Sequence, residues 1–223
     1  PEFAIPTLKL LQKSRHKLLA VVSNKPKPIG RGQSLKYTPV GKYAKENKIK
    51  LLEPDTLRGE KFKNQLINLR ADIFLVVANK ILPKQIISIP IHGAVNLHLS
   101  LLPKYRGAAP IQWALMNGDE ETGVTVFQIS EKVDTGDILA HHEFPIYDHD
   151  NMLTLGTRLC KVGAELIINT IDRIEDGTIR SIKQDQRSAS QAPKITKKLR
   201  IINWEWPAYK IHNWVRGLSP YPS

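Results

Sequence analysis

The chain has 223 residues, a formal charge of +12, 41% hydrophobic residues and a single cysteine. That length holds one large domain or one domain plus part of another, with enough apolar content for a sizeable core. No apolar run approaches the ~20 residues that span a bilayer, and one cysteine excludes an internal disulfide.

Cys160, among Leu159, Val162 and Leu166, reads as a small buried hydrophobe in a reducing compartment. The positive charge leaves two readings open. It fits a protein that holds a polyanion, because neutralised phosphates release counterions. Composition by itself favours the plainer one, a solvated basic surface.

In chain order, Leu8 and Leu11 mark a helix, and residues 18–22 form a short apolar run expected of a buried parallel strand. Residues 24–37 have no helical or alternating period, and their prolines and glycines predict a loop rich in basic residues. Helix then strand follows twice, over 40–47 and 49–52, then over 60–70 and 73–78, which indicates an open, mostly parallel α/β sheet flanked by helices.

The centre of interest begins at Gly93. A strand there puts Asn96 and His98 two apart on one face, with Val95, Leu97 and Leu99 on the other. Pro103 ends the strand, and Gly107 with Pro110 opens a helix through Ile111, Trp113, Ala114 and Leu115. Polar groups at the carboxyl end of a strand sit where open α/β sheets hold ligands. Residues 124–129 and 138–140 predict a hairpin whose tip folds Asp134 back over Asn96 and His98, with Gly136 free to take a positive φ. Asn151 reads as the N-cap of a long helix, faced by Leu155, Leu159, Val162 and Leu166 and ending at Gly177. Residues 184–191 are polar and unpatterned, as in a linker, and 208–215 predict a last helix.

On residues alone, Asn96 and His98 read more readily as a satisfied polar pair than as catalytic groups, and Asp134 as a turn residue. His141, His142 and His149 fit no zinc spacing, so no metal is expected. Gly30-Arg31-Gly32 lacks the third glycine of a dinucleotide fingerprint. Trp204, Trp206, Tyr209 and Trp214 suit a helix core, or else a base-stacking platform.

Three motifs change the balance. Asn96-x-His98-x-Ser100-Leu101-Leu102-Pro103, then Arg106-Gly107-Ala108-Ala109-Pro110-Ile111, then Val133-Asp134-Thr135-Gly136-Asp137 resemble the folate-dependent formyltransferases. The Arg-Gly-Ala-Ala-Pro-Ile continuation narrows the likeness to the tRNA and sugar-nucleotide branches. The likeness runs from Pro1 to the last residue. It implies a Rossmann-like formyltransferase fold and transfer of a formyl group from 10-formyltetrahydrofolate, the co-substrate, to the amino group of methionyl-initiator tRNA. Asn96, His98 and Asp134 would be catalytic, and Ser100, Leu101, Leu102 and Pro103 would line the folate site. Lys25, Lys27, Arg31, Lys36 and Arg106 would meet tRNA, since the Gly-Arg-Gly loop of the tRNA branch contacts the acceptor arm.

The resemblance also implies boundaries: a catalytic domain over 1–180, a linker over 181–194, and over 195–223 the start of an OB-like β-barrel domain. Because Pro1-Glu2-Phe3 follows a strand in the family, the central first strand is expected to be absent from this chain, along with most of the barrel. Asn79-Lys80-Ile81-Leu82-Pro83 is one residue shorter than the family's Tyr-Gly-x-Ile-Leu-Pro beside the folate. A monomer in a bacterial cytoplasm or organellar matrix, without a membrane, is expected. The alternatives are a sugar-nucleotide or other small-amine N-formyltransferase, and a catalytically inactive RNA-binding fragment.

Overall fold

The computed structural model describes residues 2–29, 34–77 and 81–222. Helix α1 (Ile5–Lys13) leads to β1 (Val21–Val22), then to a hairpin of β2 (Lys27–Ile29) and β3 (Ser34–Lys36). After α2 (Pro39–Glu46), β4 (Leu51–Leu52) and α3 (Glu60–Leu69) come β5 (Phe74–Val76), α4 (Lys84–Ile87) and β6 (Ala94–His98). The helix–strand alternation read from the sequence is therefore present. The segment 24–37 differs from expectation. Its arms pair antiparallel with Lys27 opposite Lys36, and Arg31 between them lies outside the described residues.

The chain continues through β7 (Arg106–Gly107), α5 (Pro110–Asn117), β8 (Glu121–Gln128), β9 (Ile138–Pro145), α6 (Met152–Glu175), β10 (Gln191–Ala192) and α7 (Ala208–Leu218). The larger sheet has the order β5-β6-β8-β9, with β5 and β6 parallel and the β8–β9 hairpin antiparallel to its neighbours. Strands β1 and β4 form a separate parallel pair.

Among the described residues, neither β1 nor β5 has a strand on its other side. Between them lies a cleft of about 840 Å³ lined by Leu8, Val21, Phe62, Leu75 and Ile171, among others. It lies between the β1–β4 pair and the larger sheet.

The core sits where α5 and α6 cover the larger sheet. Val95, Leu97, Val124, Val126, Leu115, Leu155, Leu159 and Ile167 are buried together, each worth roughly 1.5–3 kcal/mol of burial. Leu97 reaches α6 at Gly163, where an added Cβ would lie 2.8 Å from its Cδ2. That close approach fixes the height of β6 over the helix. Asn151 starts α6 as expected: its Oδ1 accepts from Leu153 N and Thr154 N, and Thr154 Oγ1 accepts from Asn151 N. Gly177, at φ 66, follows its end. Cys160 is buried in this helix, and burial pushes its thiol up to about 12.

Candidate active site

Strand alternation brings Asn96 and His98 to the same face of β6, near its carboxyl end. The β8–β9 connection carries Asp134 to His98, with its Oδ2 3.8 Å from Nδ1 of the ring. Asp134 also accepts from Gly107 N at 2.8 Å. A carboxylate distant in sequence thus meets the imidazole at one end of the strand.

The imidazole is closely constrained. His98 is buried, and Phe127 stands edge-on to its ring at 6.4 Å. Its Nε2 lies 2.8 Å from the Tyr105 carbonyl oxygen. A carbonyl only accepts, so Nε2 carries the proton and the neutral ring turns its Nδ1 lone pair towards Asp134. Burial lowers the His98 pKa; Asp134 and the Tyr105 carbonyl pull it up without reversing the direction. The tautomer is set by a backbone carbonyl, and desolvation outweighs the nearby carboxylate.

Asn96 is the opposite case. Its Oδ1 is shielded from solvent and has no hydrogen-bond partner among the described residues. Buried polar atoms are almost always satisfied by the protein or by something it binds. That oxygen is able to accept a hydrogen bond from a ligand.

The turn after β6 is held from within. Ser100 Oγ donates to Lys104 O, Leu102 N donates to Thr125 Oγ1, and Thr125 Oγ1 donates to Ser100 O. Leu102 is buried with Phe127 and Ile138, whereas Leu101 and Pro103 are half-buried. Tyr105 anchors the far side at φ 60: its N–H donates to Ser190 Oγ, and its hydroxyl donates to Asp119 and accepts from Asn117. Burial pushes that hydroxyl up to about 12.

Gly136 is needed for a reason other than the expected one. Its φ is not positive, and the residue in left-handed backbone is Asp134, at φ 52. A Cβ on Gly136 would lie 1.6 Å from Gln128 O, so the chains touch there.

Arg106 also departs from expectation. It is buried, with Nε and Nη2 donating to Gln184 Oε1 and Nη1 to Gln186 Oε1. The buried guanidinium thus directs three of its five N–H groups to two glutamines of the same chain. Gln184, Tyr105 and Ser190 were missed in sequence. Gln184 fell within the stretch read as a linker, although that stretch crosses the site. Tyr105 stood between Lys104 and Arg106 with no signal beyond being aromatic.

Of the remaining basic residues, Lys27 and Lys36 are exposed, and Lys25 pairs with Asp55 at 2.5 Å. His141, His142 and His149 are exposed. Among the described residues, His16, Asp172 and Glu175 have metal-like spacing, but Arg15 already pairs with both acids. Asn79 and Lys80 lie outside the described residues. In α7, Trp214 is buried against Trp113 and Trp206, whereas Trp204 and Tyr209 are exposed.

A sequence model of the family described as Formyl transferase matches residues 3–171, and one described as Formyl transferase, C-terminal domain matches 194–223. The chain belongs to the formyl transferase family. Among curated relatives of this formyl transferase, the methionyl-tRNA formyltransferase of Thermodesulfovibrio yellowstonii is 48% identical over 223 residues, covering all of this chain and 72% of that protein. That of Bacteroides fragilis is 40% identical over 227 residues, covering all of this chain and 70% of that protein. Among solved structures, the N-formyltransferase of Helicobacter canadensis, in complex with folinic acid and dTDP-3-aminofucose, superposes with a TM-score of 0.74 at 25% identity. The match covers 96% of this chain and 76% of that one.

Proposed function

We propose that this chain transfers a formyl group from 10-formyltetrahydrofolate to the α-amino group of methionyl-initiator tRNA, with Asn96, His98 and Asp134 as its catalytic residues. The observation that carries the reading is an unpartnered buried amide oxygen on the same strand face as an imidazole whose Nδ1 faces a carboxylate. Curated relatives named methionyl-tRNA formyltransferase, matched over the whole chain, support tRNA over a sugar amine as acceptor.

The donor fits these residues. A formyl oxygen needs a hydrogen-bond donor where negative charge develops; in this reading the Asn96 side-chain NH2 supplies it, and the buried Oδ1 accepts from the bound ligand. Such a donor is worth about 3 kcal/mol. An α-amino group has pKa about 7.7–8, so presenting it uncharged at pH 7 costs only about 1 kcal/mol. As the new C–N bond forms, His98 Nδ1 accepts the proton that the amine gives up. As the bond to the folate nitrogen breaks, the same proton passes to that nitrogen, so the ring ends neutral. Asp134 stabilises the imidazolium in between. The turn over 100–103 forms one wall of the folate site, chiefly through Leu101, Pro103 and its backbone, because the Ser100 hydroxyl is already engaged.

Lys27 and Lys36 lie directly opposite each other on exposed strands, an arrangement that like charges disfavour and a phosphate backbone relieves. Together with Lys25 and Arg31 they form the tRNA contact in this reading, and 195–223 opens an OB-like domain. The enzyme works as a monomer in the cytoplasm of a bacterium or the matrix of an organelle.

The test is to supply this chain with 10-formyltetrahydrofolate and either methionyl-initiator tRNA or a dTDP-amino sugar. Formylated methionyl-tRNA and an unchanged sugar are expected. The reverse pattern would make it a sugar N-formyltransferase, and tRNA binding with no transfer to either would make it an RNA-binding module.

A further inference from the structure

We propose that Gln184 is a positioning residue that holds the Asp134 loop against His98, so that the segment after α6 completes the site. This rests on the catalytic reading of Asp134 given above. The segment is brought there by paired backbone bonds between Ile138 and Ile182, each 2.8 Å. Two residues on, the Gln184 side chain is buried and makes four hydrogen bonds. Nε2 donates to Asp134 O at 3.0 Å and to Gly136 O at 2.7 Å. Oε1 accepts from Arg106 Nε at 3.0 Å and from Nη2 at 2.5 Å.

Those bonds use both amide hydrogens and both oxygen lone pairs. The amide cannot be turned over, since its NH2 would then face a guanidinium and its oxygen two carbonyls. No shorter, apolar or charged side chain reproduces that pattern. The loop requires such a clamp because Asp134 is a non-glycine residue at φ 52, a conformation that persists only where its surroundings over-determine it. Gln184 binds the carbonyls on both sides of Thr135, and Asp134 Oδ2 accepts from Gly107 N, next to Arg106 in the chain. One amide thus ties the carboxylate-bearing loop to the strand that receives the carboxylate.

Among charged groups, Asp134 is the one acting on His98, and Arg106 in turn feels Asp134. The His98 titration therefore reports where Asp134 sits, independently of turnover. The test uses the full chain with Gln184→Met, which has similar length and no polar amide. Gln184→Asn, with an amide one methylene too short to reach both carbonyls, serves if Gln184→Met does not fold. NMR would follow the His98 imidazole against pH and the Gly107 amide.

In a folded variant, His98 should titrate lower than in the parent, and the Gly107 amide should lose its downfield shift and exchange protection. Turnover should fall 10- to 100-fold, with KM for methionyl-tRNA within about twofold. Adding Asp134→Asn to the variant should move His98 no further. An unchanged His98 titration and Gly107 amide in a folded variant would overturn the proposal. So would unfolding of both variants, which would make Gln184 a residue of the fold. A lowered titration with unchanged turnover would support the positioning and overturn the catalytic role of Asp134 instead.

Discussion

At the residue scale, the chemistry turns on two side chains whose environments have opposite consequences. The Asn96 amide oxygen is buried without a partner, so it contributes nothing to holding the fold together. Asn96→Ala should lower turnover about 10²–10³-fold while leaving the melting temperature unchanged or raised, as steady-state kinetics and calorimetry would show. His98 is buried and donates through Nε2. Long-range 1H–15N NMR should find the Nε2–H tautomer, titrating below the ordinary value of about 6.5. Asp134→Asn, which removes the upward pull of the carboxylate, should lower it further; an unchanged or higher value would count against the assignment.

The stability consequence follows in sign. Between the depressed folded value and about 6.5 the unfolded chain binds more protons than the native one at this position. The contribution of neutral His98 is therefore fully present above about 6.5 and is lost as pH falls towards the folded value. The asparagine and histidine could be found in the sequence because they share one strand. The tautomer could not, because its partner is a backbone carbonyl on a turn with positive φ.

At the element scale, the β8–β9 hairpin is the part that assembles the site, and Gly136 is its tightest point. A methyl group there would lie 1.6 Å from the Gln128 carbonyl oxygen. Gly136→Ala should cost more than about 2 kcal/mol in chemical denaturation and carry Asp134 away from His98. Parent-like stability together with parent-like turnover would refute that reading. The hairpin was readable from two β-rich runs flanking a turn. The β2–β3 hairpin was not, because its described arms lie largely in solvent and carry no burial alternation to betray a strand. Residues 184–191 were misleading for a related reason. A polar stretch looks like a linker unless its polar groups are known to be buried and bonded, as Gln184 is.

At the scale of the whole molecule, the charge of +12 bears on partners and affinity more than on fold. If the paired lysines of the β2–β3 hairpin meet tRNA phosphates, binding should weaken steeply with salt. Replacing both Lys27 and Lys36 with Ala should reduce the slope of log affinity against log salt by about 1.5. Arg106→Lys, by contrast, should leave that slope unchanged, since the guanidinium is bonded to Gln184 and Gln186. Filter binding across a salt series would separate the two.

By itself the sequence determined the periodic and local features: the face shared by Asn96 and His98, the helix–strand alternation, the Asn151 cap and the turn that carries Asp134. Each follows from spacing within a few residues of chain. The tertiary structure decided what those groups are able to do. The direction of the His98 shift depends on how completely water is excluded around it. The fate of Arg106 depends on a glutamine 78 positions away, and that of the Asp134 loop on the same glutamine 50 away. Desolvation and long-range hydrogen bonds exist only once distant segments have packed, and no local pattern in a chain records them.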